Sequence, residues 1–551
     1  MIAAGTAAHS GHGKHLAHAL LKWAKGETED YPVKDENKLK AVTSRLGVRV
    51  NGREIKEIAG EVAELALEEF SERHQPCRWL ETTITPGRKE LFTRLGVMNY
   101  GIDAAIAEVL HRTTYGTDHD PLNILLGGIK CALGDYTGMY IATELADILF
   151  GTPQPTPTRA NLGVIDASAV NIAVHGHNPV LSDVIVQVAA EMSDEARAAG
   201  AGAGINIVGI CCTGNEVMMR HGIPMAANSV AQELPLSTGA LDGMVVDYQC
   251  IMPSLADIAD GFHTQFITTM SIAKTPKAKH IQFEETRARE VAREIIRLSI
   301  EAFKRRDPAK VNIPQFVTEG LAGFSTEAVV GALSQVNKED PLKPLIDNIG
   351  NGNIRGVCLF AGCNHVKVTQ DQNFMTMAQL LAKENVLLLA TGCGAACFVR
   401  HGILTPEATE KYAGESLKTV LTAVGQAAGL GKPLPLALHM GSCVDNTRAA
   451  EVAVAIANKL GVDLDKLPVV ASAPEETTEK AVAIGTWAVA LGLPVHIGVV
   501  PPVLGGPEVV KILTQTAKDV FGGYFIVEPN PATAAEKLLE IIREKRQGLG
   551  I

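Results

Sequence analysis

The sequence predicts an α/β multidomain protein, helical at its N-terminus and built further on from parallel strand–helix units. Two observations carry this. Residues 54–73 repeat apolar side chains at helical spacing with acidic residues between them, and 102–111 and 137–149 are further helical stretches. From residue 170 onward, short Val/Ile-rich runs alternate with helical patterns of 10–15 residues, the rhythm of βαβ units.

Between these regimes lies Gly151-Thr152-Pro153-Gln154-Pro155-Thr156-Pro157. Three prolines at alternate positions remove donors and clash with the preceding turn, so no helix continues through them. Strands are expected near 170–174, 205–210 and 244–248, followed by a helix over about 283–305 that runs into Lys304-Arg305-Arg306-Asp307-Pro308. The segment Val311 to Pro314 is a second boundary, and further strands are expected near 355–360, 386–390, 435–439, 468–472, 495–500 and 523–527. The organisation read from this is a helical domain (1–153) followed by two Rossmann-like parallel α/β domains (154–310 and 311–551).

The net charge of −11 argues against nucleic acid as a partner, since phosphate binding needs clustered Lys and Arg. Ten cysteines in 551 residues are too sparse for a disulfide scaffold. The start, Met1-Ile2-Ala3-Ala4-Gly5-Thr6, lacks the charged-then-apolar pattern of a signal peptide, so reduced thiols and a cytoplasmic location are expected. Residues 481–505 carry no Asp, Glu, Lys or Arg, but Pro494, His496, Pro501 and Pro502 interrupt them. They read as a buried helix (481–491), a turn and a buried strand (495–500), with no transmembrane segment.

Several cysteines stand where an apolar strand runs into a turn. Cys212 follows Ile205-Asn206-Ile207-Val208-Gly209-Ile210, and Cys363, Cys393 and Cys443 lie in the Gly-bearing turns Ala361-Gly362-Cys363-Asn364, Thr391-Gly392-Cys393-Gly394 and Gly441-Ser442-Cys443-Val444-Asp445. The pair His175 and His177 follows Val170 to Val174 in the same way. Ligands of open parallel sheets gather beyond the carboxyl ends of the strands, so these groups are expected to converge. Thiolates with an imidazole suit an iron–sulfur centre, zinc or nickel. Zinc usually takes ligand pairs at C-x2-C spacing, which is absent here; single ligands from separate strands favour a larger cluster. Cys77, Cys131 and Cys358 read as small buried hydrophobes, Cys211 and Cys397 are open to either reading, and Cys250 is the weakest ligand on pattern alone.

His9, His12, His15 and His18 recur every third residue. On a helix the row climbs about 13 Å while winding round the axis, and groups that titrate near neutrality at such steps suit a proton relay.

These motifs together resemble the catalytic subunit of the anaerobic nickel carbon monoxide dehydrogenases, within the prismane and hybrid-cluster superfamily. The resemblance spans the whole chain and is most specific in Gly209-Ile210-Cys211-Cys212-Thr213-Gly214-Asn215-Glu216, Phe360-Ala361-Gly362-Cys363-Asn364, Ala390-Thr391-Gly392-Cys393-Gly394 and His439-Met440-Gly441-Ser442-Cys443-Val444-Asp445-Asn446. It implies oxidation of CO with water to CO2, two protons and two electrons, reversibly, at a nickel–iron–sulfur cluster. It implies His177 and Cys212 as ligands of an outlying iron, Cys250, Cys363 and Cys393 as ligands of the other irons, and Cys443 as the nickel thiolate. It also implies His9 and Lys480 as groups that hydrogen-bond substrate, Asp135 as a carboxylate near the cluster, and His12, His15 and His18 as the proton exit. By its own surroundings Lys480 reads as a solvated helix lysine; only the resemblance assigns it a role. Ile484 and Trp487, one and two turns on, are expected to pack beside the cluster.

The resemblance further implies a homodimer, a ferredoxin-like electron acceptor and an acetyl-CoA synthase or hydrogenase partner. In the family a cysteine-rich segment before the histidine row binds further 4Fe-4S clusters. No cysteine precedes Cys77 here, so ligands for the active-site cluster are expected without those of the additional ones. A redox or CO sensor, a cluster scaffold, and a hydroxylamine reductase-like hybrid-cluster protein are the alternative readings.

Overall fold

Residues 2–150 form only helices and their connections in the computed structural model, which describes residues 1–476 and 478–551. The first helix, Ile2–Ala24, crosses the long helix Pro121–Phe150 at close range. Small side chains make this possible: a Cβ added to Gly13 would lie 2.9 Å from the carbonyl oxygen of Gly138. The long helix is buried on every side from Cys131 to Phe150. Its charged residues are therefore paired. Asp135 meets His9, Glu144 accepts from Arg45 and Trp79, and Asp147 accepts two bonds from Arg448.

The strands are β1 (Thr156–Ala160), β2 (Val170–Gly176), β3 (Ile205–Ile210), β4 (Met225–Ala227), β5 (Leu241–Val246), β6 (Gln265–Thr268), β7 (Lys279–His280), β8 (Thr318–Ala322), β9 (Gly356–Phe360), β10 (Val386–Thr391), β11 (Ala437–Gly441), β12 (Val469–Ala473), β13 (Val495–Ile497) and β14 (Phe525–Val527). They join in the order β14-β13-β12-β9-β10-β11-β8-β1-β4-β3-β2-β5-β6-β7. Neighbours are parallel except β1 and β8, which run antiparallel. The mixed α/β class expected from the sequence is thus observed.

Each half of the sheet reverses its strand order once, β2 lying between β3 and β5, and β9 between β10 and β12. Such switch points open the crevice that takes a ligand. The β1/β8 ribbon is a slender seam, meeting the first half only at Ala160↔Met225 and the second only at His439↔Ala322. Across it the carboxyl ends of both halves turn toward one crevice.

All nine strands expected from hydrophobic runs are present, with β5 starting three residues earlier and β13 ending three residues sooner than read. β1, β4, β6, β7 and β8 were not legible. Proline in a run argues against an interior strand, and Pro157 sits in β1. Because β1 pairs with β4 only at Ala160, its opening residues behave as an edge on that side, where proline is tolerated. The uncharged stretch after residue 481 folds as read, into the helix Glu479–Ala490 and β13. Among the described residues no helix is long and apolar enough to cross a membrane.

His496 illustrates how the core treats an imidazole. Its Nε2 donates to the Glu528 carbonyl at 2.9 Å, so Nδ1 accepts from the Ser472 hydroxyl at 2.8 Å. Burial pushes its pKa down from 6.5 to about 4. The unfolded chain binds that proton near pH 6.5 while the folded chain does not, so this residue's contribution to stability falls as pH drops from 6.5 toward 4. In urea titrations, the stability gap between wild type and His496→Gln should narrow by about 3 kcal/mol between neutral pH and the acid end of that window. A gap that stays constant would show that the ring is not buried as a neutral group.

Candidate metal centre

Six donors emerge at the carboxyl ends of strands: His177 after β2, Cys212 after β3, Cys250 after β5, Cys363 after β9, Cys393 after β10 and Cys443 after β11. Several open a helix at once. Cys212 is the second residue of Cys211–His221, and Cys393 the second of Gly392–Arg400. Unsatisfied N–H groups there carry partial positive charge, which favours thiolate over thiol.

The donors meet. Ligand atoms of His177, Cys212 and Cys443 all lie within 4.8 Å of one another, and the Cys212 and Cys443 sulfurs are 3.2 Å apart. Cys250 contacts Cys363, and Cys363 contacts Cys393. Without a cation these thiols resist ionisation. The neighbouring Cys443 thiol and burial hold Cys212 well above its usual range, and Cys363 with burial does the same for Cys250. Lys480 Nζ lies 2.5 Å from the Cys250 sulfur. Burial opposes its charge, but Cys250 and Cys363 hold the ammonium above its ordinary range. Lys480 is therefore a buried cation facing sulfur, not a solvated helix lysine.

The two histidines after β2 diverge. His175 Nε2 is engaged by Gln232 at 2.8 Å, whereas both nitrogens of His177 are buried with no hydrogen-bond partner among the described residues. A buried imidazole with both nitrogens unengaged needs a further group to satisfy it. Sulfur donors in mutual contact, an orphaned imidazole and an ammonium above them fit a nickel–iron–sulfur cluster.

The loops that present these donors share a device. Gly176 and Gly441, each closing its strand, have φ of +131° and +134°. A Cβ there would fall 2.1 Å from an Asp247 carboxylate oxygen and 2.2 Å from one of Asp445. Asp247 uses the vacated space to accept from the backbone N–H groups of His177 (2.8 Å), Asn178 (3.0 Å) and Tyr248, and from Thr213 Oγ1 (2.7 Å). Burial pushes its pKa up to about 7. Asp445 likewise accepts from Ser442 N–H at 2.7 Å and pairs with Arg448, which reaches Asp147 on the long helix. The Ser442 hydroxyl donates to Glu216 at 2.6 Å, one turn beyond Cys212. On the other side, Asn364, beside Cys363, bridges Asp371 and Glu475 and so ties the loop after β9 to that after β12.

The histidine row approaches from above. His9 Nδ1 bonds Asp135 at 2.8 Å, its ring lies 5.1 Å from that of His177, and its Nε2 has no partner among the described residues. His12 sits edge-on to His177 at 5.6 Å. His15 bonds Asn178 at 3.0 Å and packs on Tyr248, and His18 is half-buried further out. Burial lowers the pKa of His12 most, and those of His15 and His18 less far.

Sequence reasoning missed the supports. Asp247 carries no local signal, because its partner Gly176 is distant in the chain. Cys211 also lies in the crevice, its thiol against Cys393, with its backbone at φ +57°. Cys77, Cys131 and Cys358 are buried packing residues elsewhere, as read. Cys397 lies with Asp371 and His401 in a second donor grouping. There the Asp371 carboxylate is already taken by Arg400 at 2.9 Å, His401, Asn228 and Asn364, so the group is an ion-paired anchor. Trp487 packs against Tyr136 with ring centroids 5.1 Å apart and the planes tilted by 60°, and with Ile484, Gly362, Met440 and Ala473 it lines an apolar cavity of ≈ 420 Å³ beside the crevice.

A model of the Prismane/CO dehydrogenase family matches residues 1–532. The chain belongs to this family. Carbon monoxide dehydrogenase 1 of Carboxydothermus hydrogenoformans is 59% identical over the whole chain, which covers 87% of that relative. The Rhodospirillum rubrum carbon monoxide dehydrogenase is 56% identical, again over the whole chain and 86% of its own length. A solved acetyl-CoA synthase/carbon monoxide dehydrogenase, described with NiZn[Fe4S4] and NiNi[Fe4S4] clusters in its alpha subunits, superposes with a TM-score of 0.98 at 49% identity, covering 100% of this chain and 82% of that one. The carbon monoxide dehydrogenase reading is thereby favoured over the sensor, scaffold and hydroxylamine reductase readings.

If the Gly–Asp device sets the loop before Cys443, Gly441→Ala should lose about 3 kcal/mol of stability and most of its nickel, with Ser442→Ala much milder. Thermal melts and metal analysis per chain check this. Unchanged nickel in Gly441→Ala would mean that the loop is not set by Asp445.

Proposed function

We propose that the chain oxidises carbon monoxide with water to carbon dioxide, two protons and two electrons, reversibly, at a nickel–iron–sulfur cluster held by His177, Cys212, Cys250, Cys363, Cys393 and Cys443. The observation that carries this is the convergence of these buried donors beneath the Lys480 ammonium and the His9 ring. When bound, the cluster supplies electrophilic metal for CO and water and a sink for two electrons.

The chain's own groups do the rest. Lys480 offers a fixed positive charge in a site closed to water, stabilising negative charge as it develops on the carbon dioxide unit. Asp135 accepts a hydrogen bond from His9 Nδ1–H, which leaves Nε2 as the face able to accept a proton. From His9, protons pass along His12, His15 and His18. Burial depresses His12 further than His15 and His18, so the two outer members hold a proton more readily than His12 does. The apolar cavity offers CO, a small apolar gas, a way in that water does not favour. Similarity to an acetyl-CoA synthase/carbon monoxide dehydrogenase supports an acetyl-CoA synthase partner for this chain, and a homodimer with a ferredoxin-like acceptor completes the reading.

Anaerobic expression with nickel, metal analysis and a viologen-linked CO assay test the reading. Cys443→Ala should lose nickel together with activity. Lys480→Ala should keep both metals while kcat falls about 10³-fold. Full activity in Cys443→Ala would refute the ligand assignment. For the cavity, Ala488→Leu, which narrows it, should cut kcat/KM for CO about tenfold and spare kcat at saturating gas. An unaltered kcat/KM would mean that CO enters elsewhere.

A further inference from the structure

Each turnover frees two protons in a buried crevice, and the row of imidazoles that could carry them ends at half-buried His18. His15, His18 and Lys22 lie on one face of the first helix at i, i+3 and i+7. Packed against this helix is the short turn Glu285–Arg287, from a distant part of the chain. Lys22 Nζ donates to Glu285 Oε2 at 2.7 Å, which pins that carboxylate beside the outer end of the histidine row. The Glu285 side chain is 13% exposed, so one edge of it reaches solvent while the rest is enclosed. Its charge is felt by both outer histidines. Burial lowers His15 and His18, and Glu285 is the foremost influence acting in the opposite direction on each. Lys22 and His15 in turn help hold Glu285 below its usual range against burial. The other charged or titratable groups around this patch are Lys14 on the first helix, Asp30 and Tyr31 in the loop after it, Asp183, and Arg287 and Arg289 on the turn and the helix that follows.

We propose that Glu285 is the outlet of the proton path, receiving protons from His18 and passing them to bulk water or buffer. The inference rests on the chain being a CO-oxidising enzyme. In the transfer, an N–H bond of the His18 imidazolium breaks and a carboxyl O–H bond forms. That bond then breaks toward water, and no electron moves. Lys22 keeps the carboxyl a strong enough acid for the proton not to lodge there. The feature is local: the remaining acidic residues of this turn and helix pair with surface cations, Glu290 with Arg287, Glu294 with Lys279 and Glu301 with Lys304.

Two measurements decide it. In protein labelled at histidine with carbon-13, with His18→Gln to assign the resonance, Glu285→Gln should lower the titration midpoints of His18 and His15 by about half a pH unit. In nickel-loaded holoenzyme with a viologen acceptor, Glu285→Gln should lower kcat about tenfold in dilute buffer, leave KM for CO unchanged, and regain most of the rate when imidazole is added as a mobile carrier. Glu290→Gln should change neither. An unshifted His18 midpoint, or a kcat loss that imidazole does not restore, overturns the proposal. A wild-type holoenzyme without CO oxidation overturns the reading beneath it and the proposal together, and the histidine titration tells that failure from the first.

Discussion

Thiols from opposite halves of the sheet are held in contact inside a dry crevice, and much of the surrounding structure answers to that constraint. The Cys212 and Cys443 sulfurs lie 3.2 Å apart although they arise on different halves. Buried thiols in mutual contact resist ionisation, and buried thiolates would repel. A metal cation reverses this balance, because it stabilises the deprotonated ligands outright. Cluster assembly is therefore coupled to proton release. The Lys480 ammonium, pressed against Cys250, lowers part of the same electrostatic cost.

The protein meets this constraint with rigid supports placed away from the donors. At Gly176 and Gly441 the missing Cβ admits an aspartate, whose carboxylate collects backbone N–H groups of the turn. From Asp445 the bonding continues through Arg448 to Asp147 on the long helix. That helix also carries Asp135, which orients His9. The close crossing of the first and long helices at Gly13 and Gly138 thus places the His9 and His12 rings against His177. Packing of small residues in the helical region and bonding of carboxylates in the sheet region serve one geometry.

Much of this was legible in the sequence, for definable reasons. Val/Ile-rich runs exposed nine strands because a parallel sheet buries both faces of its strands. Very short strands such as β4 and β7, and proline-bearing β1, carry too little periodicity to be seen. Cys363, Cys393 and Cys443 stood out because each sits in a glycine-flanked turn. Cys250 did not, because its turn reaches positive φ at Gln249 and Cys250 without any glycine. Lys480 was invisible as a buried group because its neighbours in sequence are those of an ordinary helix start, and only the crevice opposite removes it from water.

By itself, the sequence determined the class of fold, the strand-end location of the soft donors and the three-residue spacing of the histidine row, since these follow from local periodicity and composition. Tertiary structure alone decided which donors meet, that His177 faces the crevice while His175 is engaged by Gln232, and that Glu285 lies beside the outer histidines. These depend on contacts between residues far apart in the chain, through a seam two strands wide and a helix crossing set by single glycines. Local pattern carries no record of such distances.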